Sequence, residues 1–268
     1  MKVIGQGRCA TVYEYGDDKV LKLFHPSMPD NFIEHEYSIS NALNGLKIRA
    51  PRCFGLIDHE NRKGIVYERV EGKSLLGMMF SSPLRIIHYA RRLADMHHEL
   101  HGAGGEGLPH GAERFRRMIS YSRESLGDLY EPLLSYLDAL MSGTGEPRAC
   151  HGDFHPDNVM AGRKGAMIID WSNAYNGDPC SDVARSYVMF SSPMKFEGQS
   201  LPVRVYIRIV RYILGIAYMR RYRKISGVAR SDIEKWYPVI AGARLCENVP
   251  GEREWLLEMV GRYVRERR

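Results

Sequence analysis

Cysteine is scarce in this 268-residue chain and never paired by spacing. Cys9, Cys53, Cys150, Cys180 and Cys246 are odd in number, widely scattered and free of any C-x-x-C, which argues against both a disulfide framework and a cysteine zinc site. They read as reduced thiols. Long apolar runs are missing as well. No segment approaches the roughly 20 apolar residues a helix needs to cross a bilayer, and the opening stretch MKVIGQGRCATVY holds no run of signal-peptide length. A soluble, cytoplasmic protein with no membrane partner is expected. There is no internal repeat and no low-complexity tract, and 44% hydrophobic with 26% charged residues leaves little room for disorder. A chain of this size can bury a sizeable core as one large domain or as two lobes.

The balance of 38 Lys and Arg against 32 Asp and Glu gives a net charge of +6. Its densest basic stretches, MRRYRK (Met219 to Lys224) and RYVRERR at the end, have helical spacing and lack the Gly-aromatic interleaving of a single-strand binder. They read as solvated helix faces, and no nucleic-acid partner is expected.

Up to about residue 70 the chain alternates and turns often. TVYEYG reads as a strand, DD as its turn and KVLKLF as the return strand. A helix follows from Phe32 to about Leu46, with Asp30 or Asn31 placed to cap it and Ile33, Tyr37, Ser40 and Leu43 along one face. Strands are expected near RCFGLIDH and GIVYERV. Beyond EGKSL, long amphipathic helices take over: Leu84 to His101, Ala112 to Leu126, Gly127 to Met141, Val203 to Ile225, Ser231 to Glu247 and Glu252 to Arg267. One strand-like interruption, NVMAGRKGAMIID, reads as a β-hairpin around a Gly-Arg-Lys-Gly turn. Residues 1–70 thus form a small sheet-rich lobe and residues 71–268 a helical one, an α+β bilobal arrangement.

The stretch ACHGDFHPDNVM sets His151, Asp153, His155 and Asp157 at alternate positions. Because a hairpin returns the chain to its start, Asn158 and Asp170 at its two ends should lie side by side. Their hard oxygens suit Mg²⁺ shared with substrate phosphates. Asp153 precedes Asn158 by five positions, near such an ion without having to bind it, where a base is needed. In GQGRCATV, Gly5 and Gly7 lie in a turn whose backbone N–H groups can approach phosphates. Lys22 alternates with Leu21 and Leu23 on the next strand and emerges on the opposite face. Glu36 is a plausible partner, favoured over Glu34 because it shares the helix face of Ile33 and Tyr37.

The order of Gly-rich turn, strand lysine, helix glutamate, H-x-D-x-x-x-x-N and a hairpin ending in IIDW resembles the protein-kinase-like fold. HGDFHPDN with IIDW is similar to the aminoglycoside phosphotransferase and choline kinase branch of it. The resemblance runs from Gly5 to the C-terminal helices. It implies Asp153 as catalytic base, Asn158 and Asp170 as Mg²⁺ ligands, Lys22 as the clamp on the α and β phosphates of ATP, and Glu36 as its ion-pair partner. It places Gly5, Gly7 and Val12 against the nucleotide, and VYERVEG as the hinge, with Glu68 and Val70 at the adenine. It also implies transfer of the ATP γ-phosphoryl group to a small-molecule hydroxyl. The chain departs from the protein-kinase pattern in having Ala10 for the third glycine and Gly152 for the H-R-D arginine. No A-P-E follows Asp170, and WSNAYNGDPCSDVARSY leaves no room for a long peptide-binding segment, which argues against protein substrates.

The competing readings are a nucleotide-binding pseudoenzyme, a protein kinase, and a metallohydrolase built on His151 and His155. HHELH, His97 to His101, misses H-E-x-x-H by one residue, so His151 and His155 are expected to brace the loop. Trp171 is expected to pack beneath the metal site, and Asp182 to cap a helix and brace the catalytic loop. In LCENVPGEREWLLEMV, Glu252 and Glu254 open a helix, where carboxylates favour the dipole. Glu247 gains nothing from a dipole at the end of its helix, so it is expected to contact a cationic, amine-bearing acceptor.

Overall fold

The computed structural model describes residues 1–143, 145–162, 165–195 and 198–265, with side chains as far as 264. Strands β1 (Val3–Gln6), β2 (Ala10–Glu14) and β3 (Lys19–Phe24) are followed by helix α1 (Asp30–Leu43), then β4 (Cys53–His59) and β5 (Arg62–Glu68). They form one antiparallel sheet in the order β1-β2-β3-β5-β4. The alternation in KVLKLF gives this sheet two dry faces. Leu21 and Leu23 pack with Val66 beneath Tyr13 and Ile57 on one side. On the other, Phe24 packs with Ala10, Cys53, Ile65 and Ile33 of α1. Leu21 and Leu23 are fully buried, each stabilising the fold by about 1.5–3 kcal/mol. Lys22, between them, is thereby committed to the α1 side. β4 returns to β5 through Glu60 and Asn61, both at positive φ (49° and 58°), the two-residue turn whose twist matches paired strands.

Three sequence expectations change here. Gly5 lies inside β1, paired with Val12, and Gly7 alone stands in the turn, its N–H donating to the Ala10 carbonyl at 2.9 Å. The N-cap of α1 is Pro29 with no side-chain cap. The carboxylate of Asp30 is drawn off by Lys63 at 2.9 Å. The same helix stops at Leu43, three positions early, because the Asn44 side chain bonds both the N–H and the carbonyl of Cys53 on β4.

After β5 the chain forms β6 (Lys73–Ser74), α2 (Leu75–Ser81), α3 (Ile86–Leu100), α4 (Gly111–Tyr121), α5 (Arg123–Leu126) and α6 (Tyr130–Met141). Next come β7 (Arg148–Cys150), β8 (Val159–Gly162), β9 (Gly165–Ile168) and β10 (Tyr175–Gly177). The chain ends with α7 (Pro179–Ser191), α8 (Leu201–Ser226), α9 (Arg230–Glu234), α10 (Tyr237–Arg244) and α11 (Arg253–Arg265). The short elements β6, α2, β7 and β10 carry too few residues to show a period. The helix expected from Ser231 to Glu247 is broken: Pro238 in the first turn of α10 cannot continue α9, and a 3₁₀ turn, Leu245–Glu247, closes it.

α3 packs along α8, and the core they share includes Leu93, Ile119, Leu137, Val183, Tyr218 and Trp236, each 1% exposed or less. β6 pairs with β8 and β8 with β9, so the segment leaving the first sheet is stitched to the hairpin. Gly72, at φ +138°, permits this, since a Cβ there would stand 2.2 Å from the Ala161 carbonyl oxygen. The tip of that hairpin, Arg163 and Lys164, lies outside the described residues. No described helix is long and apolar enough to cross a membrane.

Candidate active site

β3 and α1 deliver the first pair. Lys22 Nζ stands 2.7 Å from Glu36 Oε1 and 3.3 Å from Asp170 Oδ1. Glu36 is buried and also accepts from the Tyr67 hydroxyl, which bonds Ser40. Glu34 faces away and pairs with Lys63. Burial alone would lower the lysine pKa, but the two carboxylates outweigh it and raise it, so the ammonium stays charged at neutral pH. This contact spans the small sheet and the helical lobe.

The hairpin supplies the second group. Val159 pairs with Ile168 and the Ile169 N–H donates to the Asn158 carbonyl at 2.9 Å, which sets Asn158 and Asp170 at adjoining ends. Asp170 is held at φ +62°, a left-handed conformation costly for a residue with a Cβ. The Asn158 amide donates to the Asp153 carbonyl at 2.9 Å, leaving Oδ1 as an acceptor. Asp170 Oδ1 takes Lys22 and Ser172, while Oδ2 has no protein partner among the described residues. The donor set left over is two hard oxygens, which fits a magnesium ion that keeps waters and phosphate oxygens as its other ligands.

Asp153 sits in a braced loop. His151 Nδ1 accepts from the Asp153 N–H at 3.2 Å while its Nε2 bonds the Ile169 carbonyl at 3.0 Å. His155 Nδ1 accepts from the Asp157 N–H, and its Nε2 lies 3.5 Å from the Asp153 carboxylate. Trp171 is buried, donating from Nε1 to the Ile168 carbonyl with its ring centroid 4.6 Å from that of His151. Gly152, at φ +75°, allows the loop to pass Asn173, whose carbonyl oxygen would lie 2.1 Å from a Cβ. Burial would raise the Asp153 pKa, but the His155 hydrogen bond and the Arg185 guanidinium overcome it and hold the carboxyl below its usual range.

Asp182 underpins this loop from α7. Its Oδ2 accepts from the His151 N–H at 2.5 Å and from His97 and His101 Nε2 at 3.0 and 3.4 Å, and its Oδ1 accepts from the Gly152 N–H at 2.9 Å. His97 and His101, one turn apart on α3 and its C-cap, point their Nδ1 atoms at the Tyr218 and Tyr222 hydroxyls. Facing a carboxylate, each Nε2 is the donor to Asp182. The helix cap expected at Asp182 is Asp178 instead, which accepts from the Cys180 N–H. Among the described residues His97, His101 and Asp182 are the one set of three potential metal ligands within reach of each other, yet every ring nitrogen in it already has a partner.

Burial pushes His97 down to about 3. The unfolded histidine binds its proton near pH 6.5 and the folded one does not, so stability is lost as pH falls through that value, by at most about 1.4 kcal/mol per pH unit for one group. A fall in Tm between pH 7 and pH 5 is expected. His97→Gln, which keeps an N–H for Asp182, should flatten that decline; an unchanged slope would show that His97 is not buried neutral.

Glu247 is not the free carboxylate expected. Arg185 Nη1 lies 2.7 Å from its Oε1 and Arg244 Nη1 lies 2.8 Å from its Oε2, so both oxygens are neutralised and the reason to expect a bound cation is gone. Arg185 also reaches Asp153 Oδ1 at 3.2 Å. Arg244 grips the buried Glu252 with Nε and Nη2 at 2.6 and 2.9 Å, and Glu252 receives the Ser192 hydroxyl. Glu252, read as a dipole residue, is thus the buried end of a charge chain. Val12 lies half-buried opposite Lys22 and Gly5. Glu68 ends β5, its side chain accepting from the Arg52 N–H, and Val70 follows in the segment to β6. Arg185, Arg114, His97 and His101 were not among the candidate residues. The i, i+4 spacing of the two histidines was the one visible signal.

No curated protein matches the chain by sequence. Among solved structures, an aminoglycoside-3'-phosphotransferase of type VIII superposes with a TM-score of 0.60 at 20% identity, over 92% of this chain and 90% of that one. An aminoglycoside phosphotransferase from Streptomyces rimosus, in complex with ADP and streptomycin, gives 0.54 at 17% identity over 87% and 90%. A choline kinase from Cryptosporidium parvum gives 0.55 at 12% identity over 99% and 88%. These likenesses establish the kinase-like fold. The family described as the phosphotransferase enzyme family matches residues 1–219, most of the chain and every residue of the Lys22, Asp153, Asn158 and Asp170 cluster, and the chain belongs to that family.

Proposed function

We propose that this phosphotransferase moves the γ-phosphoryl group of ATP to a hydroxyl of a small molecule. The observation that carries the reading is the contact of Lys22 with both Glu36 and Asp170, beside Asn158 and Asp153. Lys22, steadied by Glu36, offers a fixed charge to the α and β phosphates. Asn158 Oδ1 and Asp170 Oδ2 would hold Mg²⁺, which supplies neutralisation of phosphate charge. Asp153 orients the acceptor hydroxyl and takes its proton. The transition state is loose, so positioning and charge carry most of the catalysis. Only residues 171–178 separate Asp170 from α7, and Tyr175–Gly177 within them is paired with β7, so the acceptor side is closed to an extended peptide. An ADP complex of a protein with this fold supports ATP as donor.

Incubation with γ-labelled ATP and Mg²⁺, first alone and then with hydroxyl compounds of differing charge, tests the reading. Label on a small molecule supports it, and label on protein alone opposes it. Asp170→Ala is expected to abolish both turnover and the Mg²⁺-dependent part of nucleotide affinity. Nucleotide affinity that keeps its full Mg²⁺ dependence in that variant would remove Asp170 from the ion's site.

A further inference from the structure

Arg114, on α4, is 5% exposed. Its Nη2 donates to Asn173 Oδ1 at 3.3 Å, its guanidinium lies 5.1 Å from the Tyr175 ring, and its Nη1 has no partner. Asp153, Glu247 and Glu252 are each matched to Arg185 or Arg244, whereas Arg114 forms no ion pair among the described residues. Burial and then the neighbouring charge of Arg185 lower it to about 10, so it remains a cation at neutral pH. Burying such a charge without a counter-charge is costly.

Its position explains what could offset that cost. Asn173, the acceptor of its one hydrogen bond, is the residue against which Gly152 passes, next to Asp153. Arg185, which holds Asp153, has its own buried Nε without a partner. His35 of α1, the residue before Glu36, is lowered by burial and then by the charges of Arg117 and Arg114. Arg114 therefore lies beside the catalytic loop, with a buried Nη1 that no protein group satisfies.

We infer that the acceptor carries an oxyanion, a carboxylate or a phosphate ester, beside the hydroxyl it offers to Asp153, and that Arg114 binds it with help from Arg185. This rests on the proposed function and gives the acceptor the opposite sign to an amine drawn by Glu247. A planar guanidinium presents paired N–H donors matched to such an anion. The acceptors favoured are hydroxy acids and phosphorylated alcohols over amino alcohols.

The test is thermal melting of the full chain in saturating Mg²⁺ and ADP, titrated with malonate, inorganic phosphate, choline chloride or sodium chloride at matched ionic strength. A saturable rise in Tm is expected with malonate, with phosphate or with both, and none with choline beyond the salt control; which anion acts separates carboxylate from phosphate recognition. Arg114→Met should lose that rise, and Arg114→Lys, which keeps the charge without the fork, should keep part of it. No saturable rise in the native chain, or an equal rise in all three proteins, overturns the inference. If Mg²⁺ and ADP alone leave Tm unchanged, the proposed function fails, a result separate from the anion response.

Discussion

Asp153→Asn should lower kcat by roughly 10²–10⁴-fold, the usual worth of a positioned general base, while leaving the nucleotide dissociation constant nearly unchanged. The asparagine keeps the shape and an acceptor oxygen for Arg185, so the loop has little reason to move. Asp153 has no contact with Lys22, and its carbonyl, which receives the Asn158 amide, survives the substitution. Nucleotide binding measured beside single-turnover kinetics gives the answer: an equal loss of both would mean that Asp153 belongs to the nucleotide site. A second consequence follows from the depressed pKa. His155 and Arg185, opposing burial, keep the carboxylate ionised, so no acid limb from Asp153 should appear in the kcat profile above about pH 4, the ordinary range of an aspartate. So weak a base is adequate where the hydroxyl proton leaves late in a loose transition state.

Asp182→Ala should cost more stability than any other single substitution in the site. It strands four buried donors: the N–H groups of His151 and Gly152 and the Nε2 protons of His97 and His101. Each unsatisfied donor costs about 1–3 kcal/mol, so the sum is at least about 4 kcal/mol, a large part of the 5–15 kcal/mol that holds a typical domain folded. For a chain of this length that amounts to a fall in Tm of roughly 10 °C or more. Because the same donors set the path of the Asp153 loop, the surviving folded fraction should also turn over slowly. A melting temperature within about 2 °C of the native one would show that water or a rearranged loop satisfies these groups.

What could be read from the sequence was what depends on neighbours in the chain. Alternation in KVLKLF put Lys22 opposite Leu21 and Leu23, helix periodicity chose Glu36 over Glu34, and the return of a hairpin brought Asn158 to Asp170. Each inference needed one strand, one helix or one turn. The charges on the acceptor side depend on packing between distant helices. Arg185 meets Glu247 across 62 positions, and Arg114 meets Asn173 across 59. No local period marks either arginine. Glu247 was misjudged for the same reason: the helix dipole could be judged from its position, but the two guanidiniums beside it could not. Short elements fared similarly, since β6, β7 and β10 are held by pairing with remote strands and carry two or three residues each.

The charge chain from Asp153 through Arg185, Glu247 and Arg244 to Glu252 crosses residue 219, where the family match ends. That placement constrains how the protein can be recombined with its relatives. A chimera joined near residue 219 would take Asp153 and Arg185 from one parent and residues 244, 247 and 252 from the other. If the second parent lacks the carboxylate of Glu247, Arg185 is left buried with its main counter-charge missing, a defect worth about 3–5 kcal/mol in comparable pairs. Arg185, Arg244, Glu247 and Glu252 should therefore be inherited as one block: an exchange of the C-terminal helices keeps Arg185 paired when the second parent supplies a carboxylate at position 247 or when the crossover carries Arg185 with them.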